Sequence, residues 1–265
     1  MTTSSYALRD TATMLRRNIR RMMRYPVVTV SVMAVPIVLL LMFVYVFGDT
    51  LGAGLGGAFT GRADYVNFVT PGIILIAIAG GTQSTAITVA MDMTEGIIAR
   101  FRTMAIARVS VLAGHVIGAV IQTMLGLAVV VALAFLVGFR PSADLVEWLA
   151  AIGLMALLTL ALSWLSVAFG LVSKTVEGAS NLPLPLVLLP FLGSGFVPTE
   201  GMATGLSWFA EYQPFTPIMD TLRGLLLGTP IGNSGVIAVA WCLGILLVGY
   251  LWAKRLYNRD PVARV

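Results

Sequence analysis

Residues 68–90 read FVTPGIILIAIAGGTQSTAITVA, and this stretch decides the class of fold. It holds 23 residues without a single Asp, Glu, Lys or Arg. At a helical rise of about 1.5 Å per residue it can cross a hydrocarbon layer of about 30 Å. Similar apolar runs recur along the 265 residues, of which 58% are hydrophobic and 11% charged, whereas a soluble domain carries about 25% charged residues. The sequence therefore predicts an all-α integral membrane protein.

Six transmembrane helices are predicted from the apolar runs. Their approximate ranges are 27–47, 68–90, 111–137, 148–172, 182–196 and 236–252. The fifth is short and contains Pro183, Pro185 and Pro190, so we expect it to be kinked and packed inside the protein. We expect one transmembrane domain over 1–265, which divides into an arm (1–26), a six-span core (27–252) and a tail (253–265).

Positive charge is unevenly distributed over the predicted loops. Fourteen of the 17 Lys and Arg residues fall in the two terminal segments, after the second span and near Lys174. Only Arg62, Arg140 and Arg223 fall on the opposite side. The positive-inside rule then predicts a multi-pass protein with both termini in the cytoplasm. Because topology explains the net charge of +5, no nucleic-acid partner is predicted.

The N-terminal arm has an amphipathic pattern. Leu8, Ala12, Leu15, Ile19 and Met22 recur at helical spacing. Four arginines fall on the opposite half of such a helix, at positions 17, 20, 21 and 24. This pattern predicts an interfacial helix with its apolar face in lipid and its arginines near anionic headgroups. An ordinary positive flank for the first span is the alternative interpretation.

Patterns typical of nucleotide or metal sites are incomplete in this chain. The sequence GAGLGG at 52–57 matches G-x-G-x-x-G but lies between two predicted spans, without the strand and helix that a dinucleotide site needs. The Lys-Thr pair at 174–175 lacks the glycines of a P-loop. His115 is the one histidine and Cys242 the one cysteine, so no His–His or Cys–Cys metal pair is predicted within one chain. An interfacial polar contact is the favoured interpretation of His115.

The stretch MDMTEGIIARFRTMAIAR at 91–108 is charged and short. Thr94 can cap a helix and Glu95 favours its N-terminal end, while Ile97, Phe101 and Met104 share one face. Such a helix could seat in a groove of another protein, or lie against the membrane or the N-terminal helix. The residues alone leave both interpretations open.

Polar side chains occur in the second predicted span and at the start of the fifth. They could form helix–helix hydrogen bonds or line a pathway for a bulky amphipathic solute. They are Thr82, Gln83, Ser84, Thr85, Thr88, Ser180 and Asn181.

The chain resembles the type-2 ABC exporter permeases, most closely the daunorubicin-resistance-type bacterial members. The similarity lies in MTEGIIARFRTMAIAR (93–108), LPLVLLPFLGSGFVPTEGM (184–202) and YQPFTPIMDTLRGLL (212–226), and in the order of elements along the chain. A Pro that relatives often place after the Thr or Met is missing from MAIAR. The resemblance implies a cytoplasmic coupling helix after span two and an extracytoplasmic re-entrant helical segment before span six.

The resemblance also implies site residues and partners. It assigns contact with the ATPase to Glu95, Arg100, Phe101 and Arg102. We expect a substrate pathway and an external gate at two further sets of residues: Thr82, Gln83, Asn181 and Phe191 for the pathway, and Ser194, Phe196 and Val197 for the gate. This chain is expected to hold no cofactor or metal, since ATP and Mg would bind two copies of a separate ABC ATPase subunit.

The predicted function is that of a homodimeric permease in the bacterial cytoplasmic membrane. It would export an amphipathic drug, metabolite or lipid, as in antibiotic resistance, with no catalytic residue of its own. The alternatives are an integral membrane lipid-modifying enzyme, which would need clustered acids or histidines, and an ion-coupled carrier, which usually needs an ionisable group in mid-membrane. The sequence does not identify the cargo.

Overall fold

The computed structural model describes residues 3–24, 26–48, 61–96, 108–196 and 203–258. The regular elements in these residues are helices. In chain order they are α1 (Thr3–Arg24), α2 (Pro26–Tyr45), α3 (Arg62–Thr94), α4 (Arg108–Val137), α5 (Leu145–Val172), α6 (Val176–Asn181), α7 (Leu184–Leu188), a 3₁₀ helix (Leu189–Leu192), α8 (Thr204–Tyr212), α9 (Phe215–Leu227) and α10 (Ser234–Asn258).

Four helices in the described part of the chain have the length and apolar composition of membrane spans: Arg62–Thr94, Ser110–Val137, Leu145–Val172 and Ser234–Asn258. They coincide with four of the six predicted spans and confirm a multi-pass membrane protein. The first predicted span coincides with α2, a helix of 20 residues with Pro36 in its interior.

The fifth predicted span is not one continuous helix. It is divided among the end of α6, α7, the 3₁₀ helix and a turn that reaches Phe196. The prolines explain the breaks, because each lacks an amide hydrogen and restricts the residue before it. Several of its leucines are also more than a third exposed on the single chain, so this chain alone does not enclose the segment: Leu182, Leu184, Leu188 and Leu192.

The most deeply buried helix is α3. Its run from Ile73 to Ile76, together with Ile78, is at most 1% exposed. The helix contacts α2, α4, α5, α6 and α9. A helix that is apolar all round is typical of such a central position. The charged residues at its two ends are therefore brought close to several other elements.

The pair formed by α5 and α10 packs through a glycine. A methyl group on Gly249 would lie 2.7 Å from the backbone nitrogen of Leu165, so only glycine permits this approach. Trp164 and Tyr250 add an edge-to-face ring contact with centroids 5.0 Å apart. At its start, α5 has a capping box in which Asp144 and Glu147 bond each other's backbone amides. The glycine contact and the ring contact fix α5 and α10 relative to each other.

The predicted re-entrant region contains α8 and α9, of 9 and 13 residues. Both are too short to span a bilayer. Ile218 and Leu222 of α9 are buried in the core, whereas Leu206 and Phe209 of α8 are about two-fifths exposed. The two helices thus differ: α9 is integrated into the helical core and α8 lies at its surface.

Candidate functional site

The predicted coupling stretch begins differently from the expectation. Thr94, expected as a helix cap, is the last residue of α3, and its hydroxyl donates to the carbonyl of Met91. Glu95 is exposed and follows as the C-cap. Gly96 then adopts a φ of 69°, a left-handed conformation that favours glycine and is common just after a helix. Predicted coupling residues Arg100, Phe101 and Arg102 lie outside the described residues.

A buried charged cluster lies beside this end of α3. Asp92 is fully buried, and the Arg17 guanidinium donates to both of its carboxylate oxygens, at 3.0 and 2.8 Å. His115 Nε2 lies 3.2 Å from Asp92 Oδ2. These three residues join α1, α3 and α4, and we call them the Asp92 cluster. The predicted interfacial contact of His115 is consistent with this position.

The arm helix α1 lies close to α4 because α4 has glycines there. A methyl group on Gly114 would lie 2.5 Å from Met14 Cβ, and one on Gly118 would lie 3.2 Å from Asn18 Cβ. Asn18 also donates to the Gly114 carbonyl at 2.9 Å. Met14 of α1 is buried at this contact, whereas Ala12 of the expected apolar stripe is exposed.

Sequence reasoning missed the Asp92 cluster in two ways. Arg17 was expected near lipid headgroups, and His115 was expected in an interfacial polar contact for which no partner residue was identified. The structure instead pairs Arg17 with Asp92, because a carboxylate removed from water requires charged or hydrogen-bonding partners. The signal was present in the sequence: an acid directly after an apolar run, and a histidine between two glycines of another run.

The predicted pathway residues lie at three places in the single chain: on α3, at the end of α6 and in the 3₁₀ helix. Thr82 is 2% exposed and donates to the Ala79 carbonyl within its own helix. Gln83 Nε2 donates to the Ser180 carbonyl at 2.8 Å, which links α3 to α6. Asn181 is exposed at the end of α6, and Phe191 lies in the 3₁₀ helix. For Thr82 and Gln83 the helix-bonding interpretation fits the geometry of the single chain.

A small cavity lies between α2, α3 and α4. Its volume is about 20 Å³, which is room for little more than one water molecule. Its lining includes Met33, Gly81, Ser84, Gln122 and Thr123. Drug-sized ligands occupy pockets of about 300 Å³ or more, so this cavity is not a binding pocket for such a solute.

At the Arg62 end of α3, the described gate residues lie together with three aromatic rings. Phe196 stacks on Phe191 and Phe43, with centroids 4.9 and 4.7 Å apart. Ser194 is 8% exposed, and its hydroxyl donates to Asp220 Oδ1 of α9 at 2.8 Å. The turn at 193–196, which we call the gate turn, therefore contacts α2, α3 and α9. Val197 lies outside the described residues.

The gate turn also holds the carbonyl that accepts from Arg223, a residue for which sequence reasoning assigned no role. Arg223 Nη2 donates to the Ser194 carbonyl at 2.8 Å and lies 3.5 Å from the Phe68 carbonyl. Its guanidinium lies 4.2 Å above the Phe68 ring, and Nη1 lies 3.3 Å from Asp220 Oδ1. An arginine in a segment otherwise rich in apolar residues was the available signal.

Comparison with known proteins identifies the family. Residues 9–227 match the family model described as ABC-2 type transporter. The chain is 28% identical over 244 residues to "Daunorubicin resistance ABC transporter permease protein DrrB1" of Streptomyces coeruleorubidus, which covers 91% of this chain and 80% of that protein. It is 23% identical over 180 residues to "Probable doxorubicin resistance ABC transporter permease protein DrrC" of Mycobacterium tuberculosis, covering 68% and 65%.

The match takes in all the described helices from α2 to α9, and with them both ends of α3 and the gate turn. Membership of this family implies association with an ABC ATPase subunit. The chain belongs to the ABC-2 type transporter family, as a membrane permease subunit.

Proposed function

We propose that this chain exports an amphipathic drug, secondary metabolite or lipid across the bacterial cytoplasmic membrane. It works as a homodimer with two ATPase subunits, and both termini face the cytoplasm. The observation that carries the proposal is the family match over residues 9–227, together with relatives whose names state drug resistance. The excess of Lys and Arg on one predicted side supports the orientation.

In this proposal ATP and Mg bind the partner subunits, and this chain transmits force. The contact with the ATPase is formed by Glu95, Arg100, Phe101 and Arg102. Glu95 directly follows α3, so a displacement of this contact acts on the end of the most buried helix. The opposite end of α3 lies beside the gate turn, which gives the displacement a short mechanical route to the external gate.

The substrate pathway is proposed to run along the broken segment between α6 and Phe196. Irregular backbone at membrane depth is tolerated where protein or a water-filled cavity covers it, and not where it faces lipid. Leu184 and Leu188 are 41% and 56% exposed on the single chain. A second permease copy would cover this face, and a pathway between two copies would pass Asn181 and Phe191.

Transport by the reconstituted complex tests the proposed function. The chain and its ATPase subunit are purified together and inserted into vesicles with a fluorescent amphipathic drug. ATP-dependent movement of the drug is expected, and an ATPase subunit with its catalytic glutamate replaced by Gln serves as the control. Drug movement that is equal with and without ATP would refute the proposal.

The coupling assignment has its own test. Replacing Phe101 by Ala should abolish drug movement while ATP hydrolysis by the complex continues, because an apolar side chain is lost from the contact with the ATPase. Phe135→Ala is the control, since that ring lies on α4 and is 37% exposed. Normal transport by the Phe101→Ala complex would remove Phe101 from the coupling contact.

A further inference from the structure

The gate turn is held by Arg223 in an arrangement that joins three separate parts of the chain. The guanidinium on α9 donates to the Ser194 carbonyl of the gate turn at 2.8 Å and lies 3.5 Å from the Phe68 carbonyl of α3. Both acceptors are backbone carbonyls. These hydrogen bonds therefore depend on the position of the two main chains, and the guanidinium also lies 4.2 Å above the Phe68 ring.

Asp220 completes this arrangement from one turn earlier on α9. Its Oδ1 accepts from the Ser194 hydroxyl at 2.8 Å and lies 3.3 Å from Arg223 Nη1. Thus α9 offers Ser194 both an acceptor for its hydroxyl and a donor for its carbonyl. Two contacts to the same residue fix the orientation of the gate turn as well as its distance from α9.

The cost of burying Arg223 indicates that it has a specific role. Its side chain is 14% exposed, and its Nε is buried without a hydrogen-bond partner among the described residues. A buried guanidinium with an unused donor is expensive in an apolar environment. An apolar residue would pack here at lower cost, so stability alone does not account for an arginine at this position.

The backbone around the gate turn is closely seated, so a small displacement would break the contact. A methyl group on Gly72 would lie 3.0 Å from the Gly195 carbonyl oxygen, and one on Gly195 would lie 2.6 Å from Met219 Cε. The turn therefore lies directly against α3 and α9. Moving it by more than about 1 Å would take its hydrogen bonds beyond their normal range.

We propose that Arg223 is a positioning residue that latches the gate turn (193–196) to α3 in the closed exporter, and that the latch must open for cargo to leave. The inference rests on the proposed function, because it presupposes an exit at this turn. In this proposal the closed position of the gate turn is stabilised by hydrogen bonds from the Arg223 guanidinium to backbone carbonyls, in addition to the packing of the aromatic rings.

The chain offers a matched control for this arginine. Arg140 Nη1 also donates to two backbone carbonyls, those of Phe135 and Phe139. Both acceptors belong to the end of α4 and its first following residues, so Arg140 joins no separate segments by these bonds. Replacing either arginine by Met removes a guanidinium from two carbonyls, but only Arg223→Met should release the gate turn.

The test measures access to a cysteine beside the turn. Leu192→Cys is introduced into the full complex with its ATPase subunit, in vesicles whose external face is treated with a charged maleimide. Labelling is compared without nucleotide and after trapping with ATP and vanadate. Cys242 is fully buried, and the protein without Leu192→Cys gives the background.

With Arg223 present, labelling should depend on nucleotide. Arg223→Met should raise the nucleotide-free labelling rate roughly tenfold, which corresponds to about 1.4 kcal/mol and lies near the lower end of the roughly 1.5–3 kcal/mol range for a hydrogen bond to a charged group. Arg140→Met should keep the dependence. Ser194→Ala, which removes one hydroxyl, should also raise the nucleotide-free labelling rate, by a smaller factor. This second variant tests the latch if Arg223→Met does not fold.

The outcomes separate the two proposals. If labelling depends on nucleotide but Arg223→Met and Ser194→Ala both leave it unchanged, the latch is refuted and the exit at this turn stands. If Arg140→Met has the same effect as Arg223→Met, the latch is also refuted, because the effect is not specific. If labelling never depends on nucleotide even with Arg223 present, the exit is wrong and the latch falls with it.

Discussion

The two ends of α3 are both held by an arginine from another helix, but by different kinds of contact. At the Thr94 end, Arg17 pairs with the carboxylate of Asp92, which is itself buried and close to His115. At the Arg62 end, Arg223 binds the carbonyl of Ser194 and approaches that of Phe68. The contact between segments is a pairing of opposite charges at the Thr94 end and a cation on neutral carbonyls at the Arg62 end, where the ion pair of Arg223 with Asp220 lies within α9.

This difference indicates which end can move. Separating Arg17 from Asp92 would leave a fully buried carboxylate without the guanidinium that donates to both of its oxygens, which is costly. Separating Arg223 from the gate turn leaves neutral carbonyls, and Asp220 is 39% exposed and can be solvated. The Thr94 end is therefore suited to a permanent joint, and the Arg62 end to a contact that is made and broken.

The largest effect is expected from Asp92→Asn, which would test whether the Thr94 end is the permanent joint. Removing the charge leaves Arg17 and His115 without this carboxylate; the Arg17 side chain is 33% exposed and can be partly solvated, so the loss is that of the charged hydrogen bonds, about 3 kcal/mol. Thermal unfolding of the purified protein measures the loss. Glu177→Gln on α6 is the control, and an equal change in both variants would contradict the comparison.

A smaller loss is expected from Gly114→Ala. Its new methyl group would lie 2.5 Å from Met14 Cβ, so α1 must move away from α4, at about 1–3 kcal/mol. Gly153→Ala is matched to it, because a methyl group there meets nothing within 4 Å. That control should be neutral or slightly stabilising in thermal unfolding. Equal stability of the two variants would show that α1 is not seated on α4.

At the Arg62 end, Gly72→Ala should lower the free energy of unfolding less than Gly114→Ala does, but should impair drug transport more. The methyl group would lie 3.0 Å from the Gly195 carbonyl oxygen and 3.2 Å from Phe196 Cζ. A gate turn that can move accommodates it for about 1 kcal/mol, but no longer closes fully. ATP-independent leak of drug from loaded vesicles measures this. A loss of stability greater than that of Gly114→Ala would reverse the comparison.

The smallest effect is expected midway between the ends. Gln83→Leu removes the bond to the Ser180 carbonyl, and such interhelical bonds average about 0.6 kcal/mol in membranes. Stability should change by no more than this, while transport selectivity over a panel of drugs is unchanged. A changed selectivity would restore Gln83 to the substrate pathway.

The long spans could be predicted from the sequence because hydrophobic length is a local property. Four predicted spans match the helices α3, α4, α5 and α10 to within about six residues at each end. The break at Pro183, Pro185 and Pro190 was predicted as a kink, whereas the structure divides the segment into separate short helices. The helix-breaking effect of proline is also local, but whether it kinks a helix or divides it depends on the contacts that the segment makes with neighbouring helices.

The contacts at the ends of α3 could not be predicted, because they join residues far apart in sequence. Arg17 and Asp92 are 75 positions apart, and Arg223 and Phe68 are 155. Helical periodicity did not identify Asp92 as the partner of Arg17, since periodicity identifies the apolar face of a helix and not the close approach of two helices through glycine. Ser194 and Phe196 were predicted as gate residues from the resemblance, and their arginine partner was visible only in three dimensions.

The close seating of Gly249 on Leu165 has a practical consequence for observing the transport cycle. Because these two helices are tied backbone to backbone, they form one rigid reference frame within the subunit. A spectroscopic probe at the exposed Val236, at the beginning of α10, would therefore report on α5 as well. In the proposed homodimer, distances between such probes on the two copies would follow the separation of whole subunits, free of local rearrangements elsewhere.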